Sequence, residues 1–172
     1  MSDREKLHPD ILKIESGLDK IFNRVIRLST ERNANISIDP SFDEEIEAEI
    51  VKHLFVRVSG YLEQSLKLII KSYAEQQKSP ALLNYFLETE YRGNKDISRN
   101  ANASYIRELF KKLKINFPES SNELLNRVDE ALQKRHEIAH KGETSAILGL
   151  RDAQKYYDQA KNLILIISAI YN

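Results

Sequence analysis

Cysteine is absent from the 172 residues, which excludes a disulfide framework, a thiolate zinc site and a thiol nucleophile. That absence suits a cytosolic protein, and the cytoplasm is the expected location. Net charge is missing as well. Lys+Arg and Asp+Glu both number 26, so attraction to a polyanion must come from local clustering and not from a global field. The longest apolar run, Leu163 to Ile167, is far too short to span a bilayer, and no membrane partner is expected. Met1 to Lys6 is charged and leads into no apolar core region, so no signal peptide is expected. Five Gly and four Pro are few for this length. Leu, Ile, Glu, Lys and Ala dominate between them, a composition that favours long helices.

The length fits one domain over 1–172, large enough to bury roughly 70% of the surface that the unfolded chain exposes. From Leu7 the apolar positions Ile11, Ile14, Leu18, Ile21, Val25 and Leu28 step by fours and threes, which predicts an amphipathic helix fading near Asn33. Pro9 and Asp10 suit its first turn. Asn33 to Pro40 reads as a connecting loop. A second helix is expected from about Phe42 to Gln77, carrying Ile46, Ile50, Leu54, Val58, Leu62, Leu66, Ile69 and Tyr73 on one stripe. Its length, on the order of 50 Å, predicts a bend, with Gly60 as the site of a kink or of a close backbone approach.

Ser79-Pro80 opens a short helix over Ala81 to Glu90, which Gly93 to Asp96 ends. Ser98 to Ala103 is polar and expected to be exposed. Ser104 to Lys114 makes a further helix with Arg107, Lys111, Lys112 and Lys114 on a basic face, which either meets phosphates or is a solvated surface. Ser120 to Glu123 has a capping-box pattern. The helix it starts carries Leu124, Leu125, Val128, Leu132 and Ile138 inward and ends at Gly142. The last helix runs from about Leu150 to Tyr171, and its apolar half from Leu163 to Ile170 should lie centrally or in a subunit contact. The fold class is all-α, a helical bundle.

The densest chemistry lies in Arg135-His136-Glu137-Ile138-Ala139-His140-Lys141-Gly142, where two motifs overlap. His136-Glu137-x-x-His140 could place two imidazoles on one helix face as zinc ligands, with Glu137 as general base. No third histidine follows at the extended spacing, and Glu143, Asp152 and Asp158 are the downstream carboxylates left to complete such a site. The other motif, Arg135-x4-His140, combines a permanent cation that can hold two phosphate oxygens with an imidazole that titrates near neutrality. These are the parts for cleaving a phosphodiester without metal. Residues five apart on a continuous helix diverge by about 140°. Either the helix loosens at His140 before Gly142, or two copies of the motif meet across a two-fold axis.

This run, at the end of a helix in a small all-α chain and followed by a long final helix, resembles the Arg-x4-6-His signature of the HEPN superfamily. The resemblance implies a HEPN-like bundle with a long second helix. It also implies a metal-independent endoribonuclease, active as a homodimer without a cofactor, serving as a toxin or phage-defence effector. Arg135 would steady the phosphate and His140 would act as general acid or base, with His136 and Glu137 supporting them. His136 stands where asparagine or aspartate is also common. RNA would be cut by its own 2′-hydroxyl to leave a 2′,3′-cyclic phosphate, and an antitoxin or regulatory protein is a candidate partner. Glu63 and Arg57, near Gly60 on the second helix, are candidate second-shell residues or simply surface charges. A catalytically inactive HEPN module that binds a protein partner is the alternative.

Overall fold

The computed structural model describes residues 7–34, 40–76, 101–112, 116–141 and 149–171. They form helices α1 (Pro9–Ala34), α2 (Pro40–Gln76), α3 (Ala103–Lys112), α4 (Asn122–Lys141) and α5 (Leu150–Tyr171), with a 3-10 turn at Glu119–Ser121 before α4. Among the described residues there is no strand, and the architecture is all-α. The expected helix over Ala81 to Glu90 and the expected cap at Gly142 lie outside the described residues.

Local chemistry sets the helix starts. His8 caps α1: its carbonyl accepts from the amides of Ile11 and Leu12 at 2.9 and 3.3 Å, and its Nδ1 accepts from Asp10 N–H at 3.2 Å. Pro9 then occupies the first helical position, where no amide hydrogen is missed. Asn102 caps α3 through its side-chain oxygen, 2.7 Å from the Tyr105 amide. Ala101 and Ala103 on either side of it are buried, contrary to the expected exposure, because this cap is pressed against α4. The capping box expected at Ser120 is replaced by the 3-10 turn, in which Ser121 N–H donates to the Pro118 carbonyl at 2.9 Å. Glu123 instead pairs with Arg127 one turn ahead. At α5, Asp152 reaches back to accept from Gly149 N–H at 2.9 Å, and Gly149's carbonyl accepts from Asp152 and Ala153. That is one half of a capping box, with Asp in place of Glu, since Gly149 has no side chain to return the bond.

Helix α2 is the spine. It packs most extensively along α5, with α1 on one flank and α4 wedged against both α2 and α5, while α3 leans on α4. Aromatic rings lock α1, α2 and α5 together. Phe22 stacks on Tyr157 at 5.0 Å, Phe55 on Tyr156 at 5.5 Å, and Tyr61 meets the Tyr157 ring edge-on at 5.9 Å. Their hydroxyls are all employed. Tyr61 donates to the buried Glu15 carboxylate at 2.5 Å, and Tyr157 lies 3.1 Å from the Glu15 carbonyl and 2.9 Å from Asp19 Oδ1. Ser59 Oγ, 2.9 Å from the Phe55 carbonyl, sits 3.1 Å from the Tyr156 hydroxyl. Lys161 covers this cluster, 4.1 Å from the Tyr157 ring centroid and 3.1 Å from Asp158.

The apolar half of α5 is central, with Leu163, Ile164 and Ile167 fully buried. On α1 the buried residues are Leu7, Ile11, Leu18 and Phe22, so the expected stripe is split. Ile14 and Ile21 are half-buried and Leu28 is exposed, all on the neighbouring flank. The same division affects α2, where Ile46 is exposed. Gly60 is not a close-approach point. A Cβ built there meets nothing within 4 Å, and α2 is continuous as a helix across it.

Candidate functional site

The last two turns of α4 carry Arg135, His136, Glu137 and His140, and what positions them is the grip of the bundle on the first three turns. Leu125, Val128 and Leu132 are buried on the α2 and α5 side. From the other side α3 holds α4 by polar contacts. Asp129 Oδ1 accepts from the Ala103 amide at 2.8 Å, and the Arg107 guanidinium donates to Asn126 at 2.9 Å and to Asn122 at 3.3 Å. Arg107, on the basic face that either meets phosphates or is solvated, is thus a strut between helices. Lys112 pairs with Glu108 at 2.9 Å, Lys111 is exposed, and Lys114 lies outside the described residues.

The α4 backbone is helical through Lys141, so the chain does not loosen at His140. The side chains of Arg135, His136, Glu137 and His140 lie outside the described residues, but a regular helix fixes their register. Measured from the mean direction of Leu125, Val128 and Leu132, position 135 is turned about 50° to one side and position 136 about 50° to the other. Position 140 is on the side of 136, about 90° away, and position 137 faces roughly opposite the bundle. Arg135 and His140 therefore occupy different flanks of one helix. His136 and His140 share a flank.

Arg57 and Glu63 are six residues apart on α2, hence about 120° apart around its axis. Arg57 is exposed and lines a groove between α1 and α2, whereas Glu63 is half-buried on the other edge of the buried stripe. Of the carboxylates considered for zinc, Glu143 lies outside the described residues, Asp152 caps α5, and Asp158 pairs with Lys161. No group of three or more His, Asp or Glu able to hold a metal occurs among the described residues.

The α1/α2 groove, of about 520 Å³, was not anticipated. Its signal was present in the apolar spacing: Ile14, Ile21 and Leu28, seven apart, form a line separate from Ile11, Leu18 and Phe22.

Residues 16–172 match the model of the RiboL-PSP-HEPN family. The chain belongs to the HEPN superfamily. The match spans the described helices from early α1 onward, and its range includes the Arg135-x4-His140 run. Neither a comparison with curated proteins nor one with solved structures gave a match. HEPN domains are often ribonucleases, and the family relationship suggests a function of nuclease or HEPN-domain type. No helix among the described residues is long and apolar enough to cross a membrane.

Proposed function

We propose that this HEPN protein is a metal-independent endoribonuclease that works as a homodimer, with Arg135 and His140 as its catalytic residues. The observation that carries the reading is the Arg135-x4-His140 motif on a continuous α4 inside a family match over residues 16–172. The dimer is supported by register. Positions 135 and 140 lie about 140° apart around one continuous helix, and a second copy meeting the first across a two-fold axis would bring an arginine of one to a histidine of the other.

In this reading an imidazole accepts the proton of the RNA 2′-hydroxyl as that oxygen bonds to the adjacent phosphorus. The 5′-oxygen leaves and takes a proton from an imidazolium, so a 2′,3′-cyclic phosphate and a 5′-hydroxyl result. Two copies of His140 provide one acceptor and one donor. Arg135 stabilises the charge that builds on the phosphoryl oxygens. His136, on the flank of His140, and Glu137 support the imidazole or the phosphate. DNA, lacking the 2′-hydroxyl, should resist. Such an enzyme suits a toxin or phage-defence effector restrained by an antitoxin or regulatory protein.

The test is to incubate total RNA with wild type and with His140→Ala in excess EDTA and to analyse fragment ends. Cyclic phosphate ends from wild type alone, with a rate loss of about 10²–10⁴-fold in the variant, are expected. Full activity of His140→Ala would remove the assignment. A catalytically inactive HEPN interaction module is the second reading, favoured by the zero net charge and by the largely apolar lining of the α1/α2 groove.

A further inference from the structure

We infer that the α1/α2 groove is a docking site for an amphipathic helix with acidic flanks, presented by another protein. The inference is independent of whether the Arg135-x4-His140 site cleaves RNA. Ile14, Leu18 and Ile21 form one wall of the groove, and Val56 and Tyr61 form part of the other. Gly17 and Gly60 both line it, and a Cβ added to either would meet nothing within 4 Å. A helix seated there could bring its backbone closer than any larger residue would allow.

The apolar surface continues beyond the groove towards the α1–α2 connection. Leu28 follows Ile14 and Ile21 at intervals of seven, and Ile46 precedes His53 and Gly60 at the same interval. Leu28 is 49% exposed, Ile46 44% and Val56 38%, all large side chains left towards solvent among the described residues. From Ile14 to Leu28 the surface runs about 21 Å, the length of a partner helix of four turns.

Charge selects the partner. On α1, Lys13, Lys20 and Arg24 share one line with Gly17 at spacings of four, three and four, and all three are exposed. On α2, Arg57 and His53 line the opposite rim. Two of the flanking carboxylates have cations of their own: Glu31 lies beside Arg27 at 3.5 Å, and Lys52 hydrogen-bonds Glu49 at 2.6 Å. A second copy using this same face would set these cationic rims against each other, since a two-fold contact is self-complementary. An acidic-flanked helix pairs with both rims at once. Nucleic acid fits less well, because of the two rings lining the groove the Tyr61 phenol is buried, leaving the His53 imidazole alone for a base to stack on.

The experiment selects a displayed library of 18-residue helices, with apolar residues at heptad a and d positions and every other position randomised, on the full-length chain. Enriched peptides are then measured by fluorescence anisotropy against wild type, Gly60→Leu and Arg24→Glu. The expected result is enrichment of Asp and Glu at the flanking positions and at least a tenfold loss of affinity with each variant. Circular dichroism confirms folding, and exposed Arg24 keeps the test decisive if Gly60→Leu misfolds. The proposal is overturned if nothing is enriched, if the enriched flanks are neutral or basic, or if affinity survives the substitutions. It is overturned equally if a 20-nucleotide single-stranded RNA binds and loses affinity with the same two variants, which would make the groove a nucleic-acid surface.

Discussion

Replacing Gly17 and Gly60 by alanine should make the protein more stable. Each glycine lies inside a long helix, neither has a left-handed backbone, and neither added methyl would touch a neighbour. With no clash to set against it, the change reduces to helix propensity, about 0.8–1 kcal/mol per site. For a chain of this size 1 kcal/mol raises Tm by roughly 2–4 °C, so the double variant should gain about 4–8 °C if the sites act independently. Thermal unfolding followed by circular dichroism at 222 nm measures it, with each single variant beside the double. A Tm that falls or stays put at either position would refute the reasoning, because it would mean that the groove is filled in the free protein. The partner-free chain thus gives up about 2 kcal/mol to keep this groove shallow-walled, a cost that a bound helix would offset.

Tyr61→Phe removes a hydrogen bond to the buried Glu15 carboxylate and should cost about 1.5–3 kcal/mol in urea unfolding at neutral pH. Burial, then the hydrogen bond to Glu15 and its negative charge, push the Tyr61 phenol well above its ordinary 10.0. The folded state therefore keeps a proton that the unfolded state releases above about pH 10, and this contribution to stability should fall by roughly 1.4 kcal/mol per pH unit there. The advantage of wild type over Tyr61→Phe should shrink in that window; a constant difference up to pH 11 would contradict the assigned burial. Asn102→Ala should lose the α3 cap, about 1 kcal/mol, lowering Tm by roughly 2–4 °C and speeding amide exchange at Tyr105. Arg135→Ala should reduce RNA cleavage by about 3–4 kcal/mol of transition-state stabilisation while leaving Tm unchanged, and an unfolded variant would make the arginine structural.

The helices could be read from the sequence because their apolar spacing is regular, and α5 from Leu150 to Tyr171 matched its expected bounds. What periodicity could not give was which of two adjacent lines faces the core. On α1, Ile14 and Leu18 are neighbours on one face, so a single stripe absorbed both, and only α2 and α5 decide that Leu18 and Phe22 go inward. Glu15 and Tyr61 were silent for a similar reason. A carboxylate among apolar residues looks like a surface position until a tyrosine 46 residues away reaches it. The Arg135 to His140 run was legible as a motif because its spacing is local, and the superfamily it suggested is the one that the family match shows. Whether Arg57 and Glu63 serve it was not, since proximity along α2 says nothing about which flank each occupies.

The clasp of Tyr157 on Glu15, 142 residues apart, also has a consequence for biosynthesis. While a ribosome makes the chain, α1 and α2 emerge with Phe22, Phe55 and Tyr61 ready to pack, but their ring partners lie on α5. The 95 residues from Gln76 to Tyr171 take roughly 5–20 s to synthesise. Throughout that interval the spine of the bundle is an apolar helix with its main partner still untranslated, a nascent species exposed to association with other chains before the bundle can close.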